Sequence, residues 1–121
     1  MANISFHYDN TITEDLYGFI EVIKLLRNRG HRIYIITMRY ASEFISETKT
    51  FENMVDGIIC TGRQSKRQTA LQAGIKIDIW IDDEPRAINE NANQIWGSAS
   101  EEGTIINRNH QTGEDRIEKL N

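Results

Sequence analysis

Short β-favouring runs alternate with helix-periodic segments along most of this chain, and that alternation restricts it to an α/β fold with a parallel sheet. The run Ile33-Tyr34-Ile35-Ile36 is the tightest constraint, because it is apolar on both faces and needs cover from both sides. Ile4-Ser5-Phe6-His7-Tyr8 reads as a first strand that stops at the turn-prone pair Asp9-Asn10. Thr13, Glu14 and Asp15 read as a helix start, and Leu16, Phe19, Ile20, Ile23 and Leu26 follow at helical spacing until Gly30. A second helix is expected over residues 42–55, with Phe44, Ile45, Phe51, Met54 and Val55 on its buried side. Gly57 breaks it, and Ile58-Ile59-Cys60 forms a third strand. A short helix over 65–73 closes at Gly74, and Ile75, Ile77, Ile79 and Ile81 alternate along a fourth strand. Glu84-Pro85 suits the first turn of another helix. The expected architecture is a doubly wound, Rossmann-like parallel sheet of about four to five strands with helices on both faces.

The chain of 121 residues is long enough for one such core and too short for two. Residues 1–96 carry the pattern; residues 97–121 read as a C-terminal extension, with a polar loop, a candidate fifth strand at Thr104-Ile105-Ile106, and a terminal helical turn or fraying end over 115–120. A net charge of -4 with interspersed signs argues against a protein built to grip nucleic acid through a basic surface, yet leaves room for a phosphorylated substrate. Cys60 is the sole cysteine, so no intramolecular disulfide can form. The sequence shows neither a signal-peptide pattern at its start nor an apolar run of membrane-spanning length, and the expected location is the cytoplasm.

In a doubly wound sheet, ligands bind beyond the carboxyl ends of the strands. Polar residues gather at those ends here: His7-Tyr8-Asp9-Asn10-Thr11, Thr37-Met38-Arg39, Cys60-Thr61-Gly62-Arg63 and Asp82-Asp83. Carboxylates beside hydroxyls and cations are what metal-assisted phosphoryl transfer requires, the acids holding a hard cation and the others receiving phosphate oxygens.

Four segments carry a resemblance. Phe6-His7-Tyr8-Asp9-Asn10-Thr11-Ile12-Thr13 resembles an apolar strand followed by Asp-x-Asp-x-Thr-x-Thr. Ile33 to Thr37 resembles an apolar strand ending in Thr or Ser. Lys66 opens a helix, and Ile79-Trp80-Ile81-Asp82-Asp83 ends an apolar strand in paired acids. In that order they resemble the haloacid dehalogenase (HAD) phosphohydrolase superfamily, over residues 4–88. The resemblance implies Asp9 as general acid and base with its carbonyl on the metal, Thr37 and Lys66 on the phosphate, and Asp82 with Asp83 holding Mg²⁺. It also implies an aspartate nucleophile, and that position is His7. Imidazole cannot attack phosphorus and supply an oxygen to Mg²⁺ in one geometry, so weakened Mg²⁺ affinity and impaired aspartate-type catalysis are expected. With Asp9, Asp82 and Asp83 near, the imidazole is expected to favour its charged form and to offset the acids.

Plainer readings compete at each position. Asp9-Asn10 is also a turn, Thr37 also a strand end, and Asp82-Asp83 also a helix cap with a surface acid. Lys66 has a rival phosphate ligand in Arg63, with Arg67 behind it. Arg39 reads as a surface ion-pair partner, His31 as structural, and His110 has no metal-ligand spacing with any residue. Cys60 suits a small buried position, while Trp80 and Trp96 suit packing of helix on sheet or a subunit contact. The stretches after the first and third strands are too short for a cap domain. By resemblance, capless members act on bulky, macromolecular or nucleotide-like phosphorylated substrates, or cover the site by forming homo-oligomers. Two functions are thus in view: a phosphomonoesterase-type hydrolase impaired at His7, and a non-catalytic protein binding a phosphorylated ligand or a protein partner.

Overall fold

The structure, a computed structural model, describes residues 1–97 together with the backbone of 104–108 and 115–119. Its elements run β1 (Asn3–Phe6), α1 (Leu16–Asn28), β2 (Arg32–Thr37), α2 (Ile45–Phe51), β3 (Gly57–Cys60), α3 (Lys66–Gln72), β4 (Ile79–Ile81), α4 (Arg86–Asn89) and α5 (Ala92–Trp96). The strands β5 (Thr104–Arg108) and β6 (Asp115–Lys119) follow. The first four strands form one parallel sheet in the order β3-β2-β1-β4.

Alternation along β2 sorts the core into two layers. Ile33 and Ile35 join Ile4, Phe6, Ile23, Phe44, Phe51 and Val55 on the α1 and α2 side of the sheet. Tyr34 and Ile36 face the other way, against Ala70 of α3 and Ile77. The continuous apolar run is therefore covered on both faces, as its composition demands. A third cluster, Met38 with Ala87, Ala92 and Ile95, packs α4 and α5 beyond the carboxyl end of β2.

Several element limits differ from the sequence expectation, each for a local reason. Helix α1 is capped by Asp15, whose Oδ1 accepts from the Gly18 N–H at 3.0 Å, whereas Thr13 Oγ1 accepts from the Asn10 N–H at 2.9 Å. A 3-10 turn over Ile12–Glu14 holds the stretch expected as the first helical turn. A second 3-10 turn, Ala41–Glu43, precedes α2 and resets the helical phase. Ile45, expected to be buried, is consequently 61% exposed, while Phe44 takes the core position. Only Ile79–Ile81 of the expected long fourth strand pairs in the sheet. The preceding residues are held at the base of β1 by Asp78 N–H donating to the Asn3 carbonyl at 2.8 Å, with Ile77 still buried.

Thr104 to Ile106 does lie in a strand, but that strand pairs antiparallel with β6 in a separate two-stranded sheet and not with the parallel one. Residues 115–119 are a strand and not the helical turn or frayed end expected. Ile117, the one apolar residue of β6, lies opposite Ile106, a partner that the local sequence does not announce. The polar stretch 98–103 and His110 lie outside the described residues. No described helix is long and apolar enough to cross a membrane.

Candidate functional site

Pairing of β1 with β4 builds the site. The His7 N–H continues the ladder by donating to the Ile81 carbonyl at 2.9 Å, so the residue after β1 lies beside Asp82 and Asp83, the residues after β4. His7 Nδ1 lies 2.7 Å from Asp83 Oδ1 and 3.2 Å from Asp82 Oδ1. The Thr11 hydroxyl donates to Asp83 Oδ1 at 3.0 Å, and Asp82 Oδ1 accepts from the Glu84 N–H at 2.9 Å. Opposite, the Lys66 ammonium is ion-paired with Asp82 Oδ2 and is completely buried.

Lys66 reaches this point because α3 must carry the chain from β3, at one edge of the sheet, to β4 at the other. It opens α3 directly after Ser65, whose hydroxyl caps the helix by accepting from the Gln68 N–H at 3.2 Å. Ser65 is in turn fixed by its own N–H donating to Asn91 Oδ1 at 2.8 Å, a link to the cap of α5.

The charges in this cluster are strongly coupled. Burial pulls the His7 imidazole down, but its hydrogen bonds to Asp82 and Asp83 outweigh that and hold it above the usual 6.5. Burial would raise both aspartates, yet the His7 contacts hold each below the ordinary carboxylate value, with Lys66 adding to the effect on Asp82. Burial lowers the Lys66 ammonium while the facing carboxylates oppose that shift.

His7, Asp82, Asp83 and Lys66 thus come together, as their places in the sequence imply. Asp9 is held differently. Arg39 clamps its carboxylate through Nε at 2.9 Å and Nη2 at 2.5 Å, and also donates from Nη1 to the Glu43 carbonyl at 2.9 Å. The same guanidinium lies 5.5 Å from the Tyr8 ring centroid and 5.7 Å from that of Phe44. Arg39 is therefore the clamp of the candidate acid–base residue as well as an ion-pair partner. Thr37 is fully buried, its Oγ1 accepting from the Arg39 N–H at 3.3 Å. Arg63, the alternative phosphate ligand, is buried and turned toward the Met38 carbonyl at 2.8 Å and Glu43 at 3.1 Å, with its guanidinium 5.0 Å from the Tyr40 ring centroid. Cys60 is partly buried, and burial raises its thiol above its usual range, which suits a packing role. Sequence reasoning assigned no contact to Thr11; its spacing after the first strand was the available signal, and only pairing of β1 with β4 supplies its partner, Asp83.

Among the described residues, His7, Asp82 and Asp83 offer ligand atoms that all lie within 4.8 Å of one another. Mg²⁺ requires oxygen ligands in near-octahedral array. One donor here is a ring nitrogen in direct hydrogen-bond contact with a carboxylate, and the second oxygen of Asp82 is occupied by Lys66. This donor set does not fit Mg²⁺. No family model, curated protein or solved structure matches the chain, so no relative supplies a function for this cluster.

Proposed function

We propose that the strand ends form a phosphomonoester-handling site of HAD phosphohydrolase layout in which aspartate-type phosphoryl transfer is impaired by His7. The observation that carries this reading is the joint placement of His7, Asp82, Asp83 and Lys66 at the adjoining ends of β1 and β4, with the Asp9–Arg39 pair two residues further along. In that layout, Asp9 gives a proton to the leaving ester oxygen and then takes one from the attacking water, and Lys66 offsets charge on the phosphoryl group. His7 bears no oxygen with which to form the acyl phosphate that an aspartate would form. A second reading, binding of a phosphorylated ligand or a protein partner without turnover, is favoured by the pairing of each acid with a basic side chain: Asp9 with Arg39, Asp82 with Lys66, Asp83 with His7.

The test is hydrolysis of an aryl phosphate with Mg²⁺, with a chelator control, by the protein and by His7→Asp in parallel. Activity in the Asp variant alone is the expected result and identifies a site disabled at the nucleophile. Turnover by the unsubstituted protein would show that His7 or a water does the chemistry, and trapping a phosphohistidine separates those two. Inactivity of both while folded counts against the hydrolase layout and leaves the binding reading.

A further inference from the structure

We infer that the His7 side chain stands in for the divalent cation of this layout, cross-linking Asp82 and Asp83 so that the site is complete without metal. The inference rests on the phosphohydrolase reading, because only that layout makes the two aspartates ligands of a cation. Its own support is geometric. A cation with bonds near 2.0–2.1 Å holds neighbouring ligand atoms about 2.9 Å apart or more. His7 Nδ1 is 2.7 Å from Asp83 Oδ1, a direct hydrogen bond with no room for an ion on the line between them. The same nitrogen lies 3.2 Å from Asp82 Oδ1, within ion-pair range of the second carboxylate.

Three of the four carboxylate oxygens of the pair are also engaged by other groups of the chain. Lys66 takes Asp82 Oδ2, the Glu84 N–H takes Asp82 Oδ1, and Thr11 takes Asp83 Oδ1. The third carboxylate, Asp9, is clamped by Arg39. A divalent ion taking Asp82 Oδ1, Asp82 Oδ2 or Asp83 Oδ1 as a ligand would have to compete with a protein donor already on that oxygen. Replacing His7 with aspartate removes the donor and adds an oxygen ligand, which turns the cross-link into a cation site. Because an imidazole beside two carboxylates is also a donor set that Zn²⁺ accepts, Zn²⁺ belongs in the test.

The experiment measures Mn²⁺ binding by electron paramagnetic resonance, Mn²⁺ serving as the probe for Mg²⁺, together with thermal midpoints in chelator, Mg²⁺ and Zn²⁺. The unsubstituted protein is expected to hold no stoichiometric Mn²⁺ and to show the same midpoint in all three solutions. His7→Asp is expected to bind Mn²⁺ at least about tenfold more tightly, the low end of what altered ligand support costs a metal site. Its midpoint should fall in chelator and recover with Mg²⁺, since a ligand held only by the folded state stabilises it. Stoichiometric Mn²⁺ or Zn²⁺ on the unsubstituted protein overturns the inference while leaving the hydrolase layout standing. A folded His7→Asp that binds no metal overturns both. If His7→Asp does not fold in either solution, His7→Asn carries the same outcomes, with an amide oxygen as the added ligand.

Discussion

At the scale of the residue, His7 decides how this site responds to acidity. Its folded-state pKa is raised, so its contribution to stability is fully present below pH 6.5 and is lost as pH rises through the folded value. Asp82 and Asp83 are shifted the other way: their contribution is present above pH 3.8 and lost as pH falls through their depressed values. The thermal midpoint should therefore decline on both sides of a plateau between those limits. In His7→Gln the decline that begins above pH 6.5 should disappear, because the imidazole is the group of this cluster whose pKa folding raises from that value. Midpoints recorded across pH by circular dichroism check this, and an unchanged upper limb would mean that His7 is not what sets it.

At the scale of the element, α3 delivers Lys66 to the cluster, and its first turn hangs on Ser65. Ser65→Ala removes the acceptor for the Gln68 N–H and is expected to lower stability by about 1 kcal/mol in urea unfolding. Ser65→Gly should recover most of that, because glycine is tolerated at a cap. A loss equally large in the glycine variant would shift the weight from the cap to packing at this buried position. Helix α2 teaches a related lesson. The apolar residues from Phe44 to Val55 were legible as one buried stripe, but the 3-10 turn before α2 rotated the stripe and exposed Ile45. Helical periodicity assumes a constant rotation per residue, which a 3-10 segment breaks.

At the scale of the whole molecule, the strand order β3-β2-β1-β4 makes distant residues into partners. The Lys66–Asp82 pair is the deepest product of that order, its side chains only 1% and 3% exposed. Lys66→Met would leave Asp82 buried with only His7 as a cationic partner, and a loss of about 3 kcal/mol is expected from the chemical-denaturation midpoint. Adding Asp82→Asn should return much of that loss, since the buried carboxylate that had lost its lysine is then neutral. If the double variant is no better than the single one, the loss comes from packing around the lysine stem and not from the pair.

The sequence by itself determined the α/β class, the strand-bearing runs, the burial of Ile33 to Ile36 on both faces, and the gathering of polar residues at the strand ends. Those follow from local periodicity and from the need of apolar runs for cover, which every stretch of chain carries within itself. The tertiary structure alone decided that Arg39 clamps Asp9, that Thr11 meets Asp83, that Arg63 turns to Met38 and Glu43, and that β5 pairs with β6 apart from the main sheet. Each depends on which strands lie side by side and where a loop turns its long side chain. That adjacency is set by the packing of the entire core, so no window of neighbouring residues contains it.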